Sequence, residues 1–174
     1  IDVFFYKRKF YQTLREASRI IAISECTKRD ILYYGDFPED KIDLVYQSCS
    51  TRFSQSVSPS LIEEARRKYH LPQRYILNVG TVEVRKNILL GIQTMAKLPS
   101  DLHLVVVGRL TKYQKKLDAE IRRLGIGNRI HFLQGVPNDL LAAIYNQAEA
   151  FIYPSRYEGF GIPIIEAIQS GCHG

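Results

Sequence analysis

No apolar run in this chain approaches the roughly 20 residues that a membrane-spanning helix needs. The N-terminus, Ile1 to Arg8, has neither the apolar stretch nor the small-residue cleavage site of a secretory leader. Cysteine is scarce. Cys26, Cys49 and Cys172 are odd in number, lie far apart and never form a CxxC pair, which argues against a disulfide framework or a zinc site. A reducing, cytoplasmic compartment is the default for such a chain. The histidines, His70, His103, His131 and His173, show no metal-ligand spacing. No GxGxxG follows a strand, and Gly125-Ile126-Gly127 comes after a helical pattern, so a dinucleotide-dependent oxidoreductase is disfavoured. Met95 is the only methionine, and the chain stops at Gly171-Cys172-His173-Gly174 straight after a helical pattern. A fragment of a longer protein is therefore expected.

What is present is an ordinary globular balance: 174 residues, 45% hydrophobic and 24% charged, which excludes disorder and collagen-like repeats. That length suits one or two compact units. The net charge of +6 favours an anionic partner. Nucleic acid, acidic lipid headgroups and small phosphorylated substrates satisfy it equally, and so does a plain solvated surface.

Along the chain, Arg19 to Ser24 reads as a short buried strand whose Ser24 can cap a helix over Glu25–Tyr34. Lys41–Tyr46 reads as another strand. The Ser-rich stretch from Gln47 to Ser60 lacks periodicity and reads as a linker, followed by a charged helix, Leu61–Tyr69. From Tyr75 onward strands and helices alternate. Strands are expected at 75–79, 102–107, 129–133 and 150–153, and helices at 87–98, 112–124, 138–148 and 162–170. This alternation predicts an α/β fold, a Rossmann-like parallel sheet with helices on both faces. Its strands are apolar throughout, as a sheet covered on both sides requires. In such sheets ligands bind beyond the carboxyl ends of the strands, where the strand order reverses. The loops after residues 79, 107, 133 and 153 are thus the places to seek chemistry.

In the first loop Gly80 permits a tight turn, and Arg85 and Lys86 are expected at the start of the next helix. Cations are unfavourable beside the positive end of a helix dipole, and a bound anion would reverse that penalty. The second loop offers Gly108 and Arg109. In the third, backbone groups near Val136 could read a flat base edge. The fourth, Tyr153 to Ala167, is the most informative. Gly159 and Gly161 free the backbone, Pro163 suits the first turn of a helix, and Glu158 and Glu166 stand with seven residues between them. An ionised Glu166 could accept two hydrogen bonds from a vicinal diol such as a ribose, and Glu158 could hold a sugar hydroxyl.

Glu158-Gly-Phe-Gly-Ile-Pro-Ile-Ile-Glu166 resembles the EX7E motif of retaining glycosyltransferases with the GT-B fold, family 4 in particular. Tyr153-Pro154-Ser155 resembles the approach to that motif, and Tyr75 to Asn87 resembles a variant of the family's donor-phosphate loop. The resemblance covers nearly the whole chain. It implies the end of an N-terminal acceptor domain over residues 1–50, and a linker and connecting helix over 51–72. Residues 73–174 would be a nucleotide-sugar donor-binding domain, truncated at its C-terminus.

The resemblance also implies roles. Arg85 and Lys86 would bind the donor diphosphate and stabilise the leaving group, acting where negative charge develops. Glu158, with the backbone at Phe160 and Gly161, would hold the donor sugar. Glu166 would bind the ribose and Val136 would face the base. Gly80, Thr81 and Ile162 complete the donor-binding set, with Thr81 where many members carry Arg. No metal ion or other cofactor is expected, the nucleotide diphosphate sugar being a substrate. GDP-mannose is weakly favoured. The acceptor would be a glycan or lipid-linked molecule, reached through the missing part of the N-terminal domain, so the fragment alone would bind donor without transferring it. Lys7, Arg8 and Lys9 with Phe4, Phe5, Phe10 and Tyr11 could make a peripheral contact at the inner face of a membrane, or could be one face of an acceptor-domain helix. Two other readings stay open: an ADP-glucose-using relative, disfavoured for want of the longer lysine-containing signature, and a basic Rossmann-like nucleic-acid-binding or regulatory module. No RNA-binding signature supports the latter, and no nucleic-acid partner is expected.

Overall fold

A computed structural model describes residues 3–172. The chain divides into two compact units, residues 1–48 and 49–174.

The first unit runs α1 (Val3–Glu16), β1 (Ile20–Ala22), α2 (Glu25–Gly35) and β2 (Ile42–Leu44). The two strands pair in parallel, Ile20 opposite Ile42 and Ala22 opposite Leu44. Ser24 caps α2 as its sequence position suggested: its backbone is extended and its side chain accepts from the Thr27 amide at 3.0 Å. Such a cap satisfies an amide that the helix itself leaves without a partner. Leu14, Ala22, Ile31, Phe37 and Ile42 form a small core. Phe4, Phe5 and Tyr6 of α1 are exposed. Among the described residues, no helix is long and apolar enough to cross a membrane.

The second unit contains α3 (Pro59–Tyr69), β3 (Tyr75–Val79), α4 (Ile88–Met95), β4 (His103–Val107), α5 (Gln114–Leu124), β5 (Ile130–Leu133), α6 (Asn138–Asn146), β6 (Ala150–Phe151) and α7 (Ile162–Gln169). The four strands are all parallel, in the order β5-β4-β3-β6. Period-two alternation sends neighbouring side chains to opposite faces. Tyr75, Leu77, Val105 and Val107 join one core with α6 residues Leu140, Leu141, Ile144 and Tyr145. Leu104, Val106 and Ile130 join the other, with Ile88 and Ile92 of α4 and Leu117 and Ile121 of α5. Each fully buried aliphatic side chain contributes about 2 kcal/mol of hydrophobic stabilisation. The sheet is covered on both faces, which is why its strands carry no polar alternation.

From Cys49 onward, the stretch expected to be a linker belongs to the second unit. Thr51–Ser54 forms a tight turn that buries Phe53 to 2% exposure, and Ala65 of α3 enters the same core. Its Ser residues hold turns and caps: Ser58 accepts from the Leu61 amide at the start of α3.

The strand order places the switch point of the sheet. The chain steps from β3 outward to β4 and β5, then returns to lay β6 on the other side of β3. The loops after β3 and β6 therefore leave the sheet side by side, at the kind of position where such sheets bind ligands.

Candidate functional site

The loops after β3, β4 and β5 are fastened to one another by backbone hydrogen bonds that extend the sheet. Gly80 N–H donates to Val107 O, Val82 N–H to Arg109 O, and Gly108 N–H to Leu133 O, each at 2.9 Å. Gly108 sits so close to its neighbour that a Cβ there would run into the carbonyl oxygen of Gly80. Val79, Gly80, Thr81, Gly108, Arg109 and Val136 are among the residues that line an open depression above these strands. Three of the expected donor-binding residues, Gly80, Thr81 and Val136, thus meet in one place.

The loop after β6 is fastened to the loop after β3. Arg156 N–H donates to Arg85 O at 2.9 Å, and Asn87 Nδ2 to Pro154 O at 3.1 Å. Arg85 and Lys86 differ from expectation in one respect. They do not begin the helix. They lie on a separate tight turn, Val84–Lys86, and Asn87 in a left-handed conformation (φ 53°) separates that turn from α4. Their positive charge is met by side chains rather than opposed by a helix end.

Those side chains are acids. Lys86 Nζ donates to Glu158 Oε1 at 2.7 Å, and Arg85 Nη1 donates to Glu158 Oε2 at 2.8 Å. Arg85 Nη1 also reaches Tyr157 O, and its Nη2 donates to Glu83 Oε1 at 2.7 Å. Lys86 further donates to the Tyr153 hydroxyl at 2.7 Å. Two cations and two carboxylates meet here, so the cluster is close to neutral. Burial alone would push the Glu158 carboxyl up. The hydrogen bonds from Lys86 and Arg85 and the charge of Lys86 outweigh it and hold the group at about 2. Burial pushes the Tyr153 hydroxyl up, which keeps it protonated.

Gly161 (φ 94°) turns the chain into α7, where Ile162 and Pro163 form the first turn. L side chains avoid that backbone conformation, which accounts for glycine at this position. One turn further on, Glu166 is half-buried and accepts a hydrogen bond from the Tyr145 hydroxyl at 3.0 Å. Burial moves the Glu166 carboxyl up and the Tyr145 bond opposes that shift.

Arg85, Lys86 and Glu158 are therefore joined directly, Gly80, Thr81 and Val136 lie together, and Phe160, Gly161, Ile162 and Glu166 follow on the loop and helix after β6. Tyr153, Glu83 and Tyr145 escaped the reading of the sequence. A tyrosine on the buried stripe of a helix was the available signal at position 145, because a buried hydroxyl needs a partner. His173 lies outside the described residues, and among the described residues no group of three metal-ligating side chains converges.

The family model described as "Glycosyl transferases group 1" matches residues 62–173. O-antigen chain mannosyltransferase B of Escherichia coli is 32% identical over 96% of this chain and 45% of its own length. The serotype-specific mannosyltransferase WbdA of the same organism is 30% identical over 96% of this chain and 21% of its own. The chain thus spans less than half the length of these relatives. Among solved structures, that of Anabaena Alr3699/HepE in complex with UDP and glucose superposes with a TM-score of 0.84, at 22% identity over 97% of this chain and 47% of that one. WaaG, a glycosyltransferase involved in lipopolysaccharide biosynthesis, superposes with a TM-score of 0.75, at 23% identity over 88% of this chain and 42% of its own. These two likenesses are of fold.

Proposed function

The chain belongs to the glycosyl transferases group 1 family, and we propose that its second unit binds the nucleotide diphosphate sugar from which the whole protein transfers a sugar with retention of configuration. GDP-mannose is the favoured donor. Its support is the mannosyltransferase names of the two relatives and the likeness of the loop from Val79 to Asn87.

The observation that carries the proposal is the meeting of Arg85 and Lys86 with Glu158 at the switch point of the sheet. A diphosphate arriving at the switch point competes with Glu158 for both cations. Displaced from them, the Glu158 carboxylate becomes an acceptor for hydroxyls of the donor sugar. Arg85 and Lys86 then face the negative charge that grows on the leaving diphosphate as the glycosidic bond breaks, so the reaction calls on no metal ion. Glu166 takes the ribose, and Val136 lies against the base. The acceptor, a glycan or lipid-linked molecule, would be held outside this unit. Basic residues of α1 offer a peripheral membrane contact on the cytoplasmic side, and nucleic acid has no part in the reading.

The test is transfer by the full-length protein supplied with GDP-mannose, UDP-glucose or ADP-glucose, with product configuration read by proton NMR. Consumption of one donor with an anomerically retained product is expected, and negligible turnover by the 174-residue chain alone. Inversion, or robust transfer by the chain alone, would overturn the respective part.

A further inference from the structure

Tyr145 is completely buried, yet it carries a hydroxyl that packing does not need. Its ring lies edge-on against Phe53 (centroids 5.8 Å apart, interplanar angle 87°) and tilted against Phe151 (5.5 Å, 57°). Phenylalanine would fill the same space. The hydroxyl instead reaches across from α6 to α7 and donates to Glu166 Oε2 at 3.0 Å. Burial and the neighbouring Glu166 charge both raise the Tyr145 hydroxyl far above the physiological range, so it remains a donor at every pH of interest. The ring is clamped on two sides, so the position of the hydroxyl is fixed by the core rather than by solvent.

Glu166 is a carboxylate on a flexible two-carbon stem. Pinning Oε2 leaves little freedom to the group. Oε2 already holds one protein donor, and Oε1 holds none among the described residues. A carboxylate left to rotate would have to be ordered at the moment of binding, at an entropic cost that pre-orientation removes.

We propose that Tyr145 is a positioning residue which orients Glu166 for one ribose hydroxyl of the donor nucleotide and so sets the preference of the site for ribonucleotides over deoxyribonucleotides. This rests on the reading of Glu166 as the ribose ligand. It adds that the hydroxyl of a core tyrosine controls this recognition. Tyr145 itself touches no substrate.

The experiment is calorimetric titration of the chain with GDP and with 2′-deoxy-GDP, and with UDP and 2′-deoxy-UDP, for the unsubstituted chain, Tyr145→Phe and Glu166→Gln. The unsubstituted chain is expected to prefer the ribonucleotide about tenfold, the size of one hydrogen bond to a charged group. Tyr145→Phe, which keeps the ring in its packing, is expected to bring that ratio close to one, as Glu166→Gln does, and the double variant to change it no further. A purely structural hydroxyl would lower the melting temperature and leave the ratio untouched. Tyr145→Phe at the unsubstituted ratio, with Glu166→Gln near one, overturns the positioning role and leaves the ribose reading standing. A ratio unchanged in both variants removes the ribose reading and the proposal together, as does an absence of nucleotide binding.

Discussion

Glu158 holds the two cations that a donor diphosphate would need. Lys86 and Arg85 each donate to one of its oxygens, so on the proposed function the carboxylate stands where a phosphate would. Removing its charge leaves both cations less compensated. Glu158→Gln is therefore expected to bind inorganic pyrophosphate about tenfold more tightly, the scale of one charged hydrogen bond regained. The same variant is expected to lose its preference for the nucleotide sugar over the bare nucleotide, since Glu158 no longer serves the sugar. Weaker pyrophosphate binding in that variant would contradict the exchange. Glu158 also sets a pH dependence. Its carboxyl is held at about 2 against an ordinary 4.5, because the folded chain favours the ionised form. The stability it contributes is present above pH 4.5 and is lost as pH falls toward about 2. Denaturant unfolding across that window is expected to show a flatter dependence for Glu158→Gln than for the unsubstituted chain.

At the scale of elements, the strands of the second unit were legible because each is a short apolar run closed by glycine or a polar turn, as Tyr75–Val79 is by Gly80 and His103–Val107 by Gly108. The segment at 51–54 was not. It places one large apolar residue, Phe53, in a polar stretch, and a single buried side chain makes no period. Helix α1 was legible only as one of two readings, since Phe4, Phe5 and Tyr6 are consecutive and exposed and only Leu14 is buried. Within the site, loop membership followed from the strand pattern. The pairing of Glu158 with Arg85 and Lys86 did not, because it depends on β6 returning beside β3, which no local pattern encodes. The tight turn at Val84–Lys86 depends likewise on the left-handed Asn87. The fastening of the loops makes its own prediction. Gly108→Ala drives a methyl group into the backbone of Gly80, where no side chain can yield. Destabilisation of about 2 kcal/mol or more is expected in chemical unfolding, with loss of nucleotide binding. A variant as stable as the parent would show that the loops after β3 and β4 are not held together in this way.

Over the whole molecule, the net charge of +6 is compatible with an anionic partner but locates none. Many of the cations are already matched on the surface: Arg74 with Asp101 and Glu149, Arg123 with Glu120, and Arg19 with Asp43. Such exposed pairs contribute little stability. The cations at the switch point, joined to Glu158, are the ones the proposed function assigns to a ligand. A basic module for nucleic acid would instead bind polyanions in general, with steep dependence on salt. The most direct measurement is calorimetric titration of the chain with GDP, UDP and ADP, beside Lys86→Ala. Saturable binding of one nucleotide, at least tenfold weaker in Lys86→Ala, is the expected result, a charged contact to phosphate being worth that much. Equal affinity in the folded variant, or no saturable binding of any of the three, would contradict the assignment of the cations at the switch point to a nucleotide diphosphate.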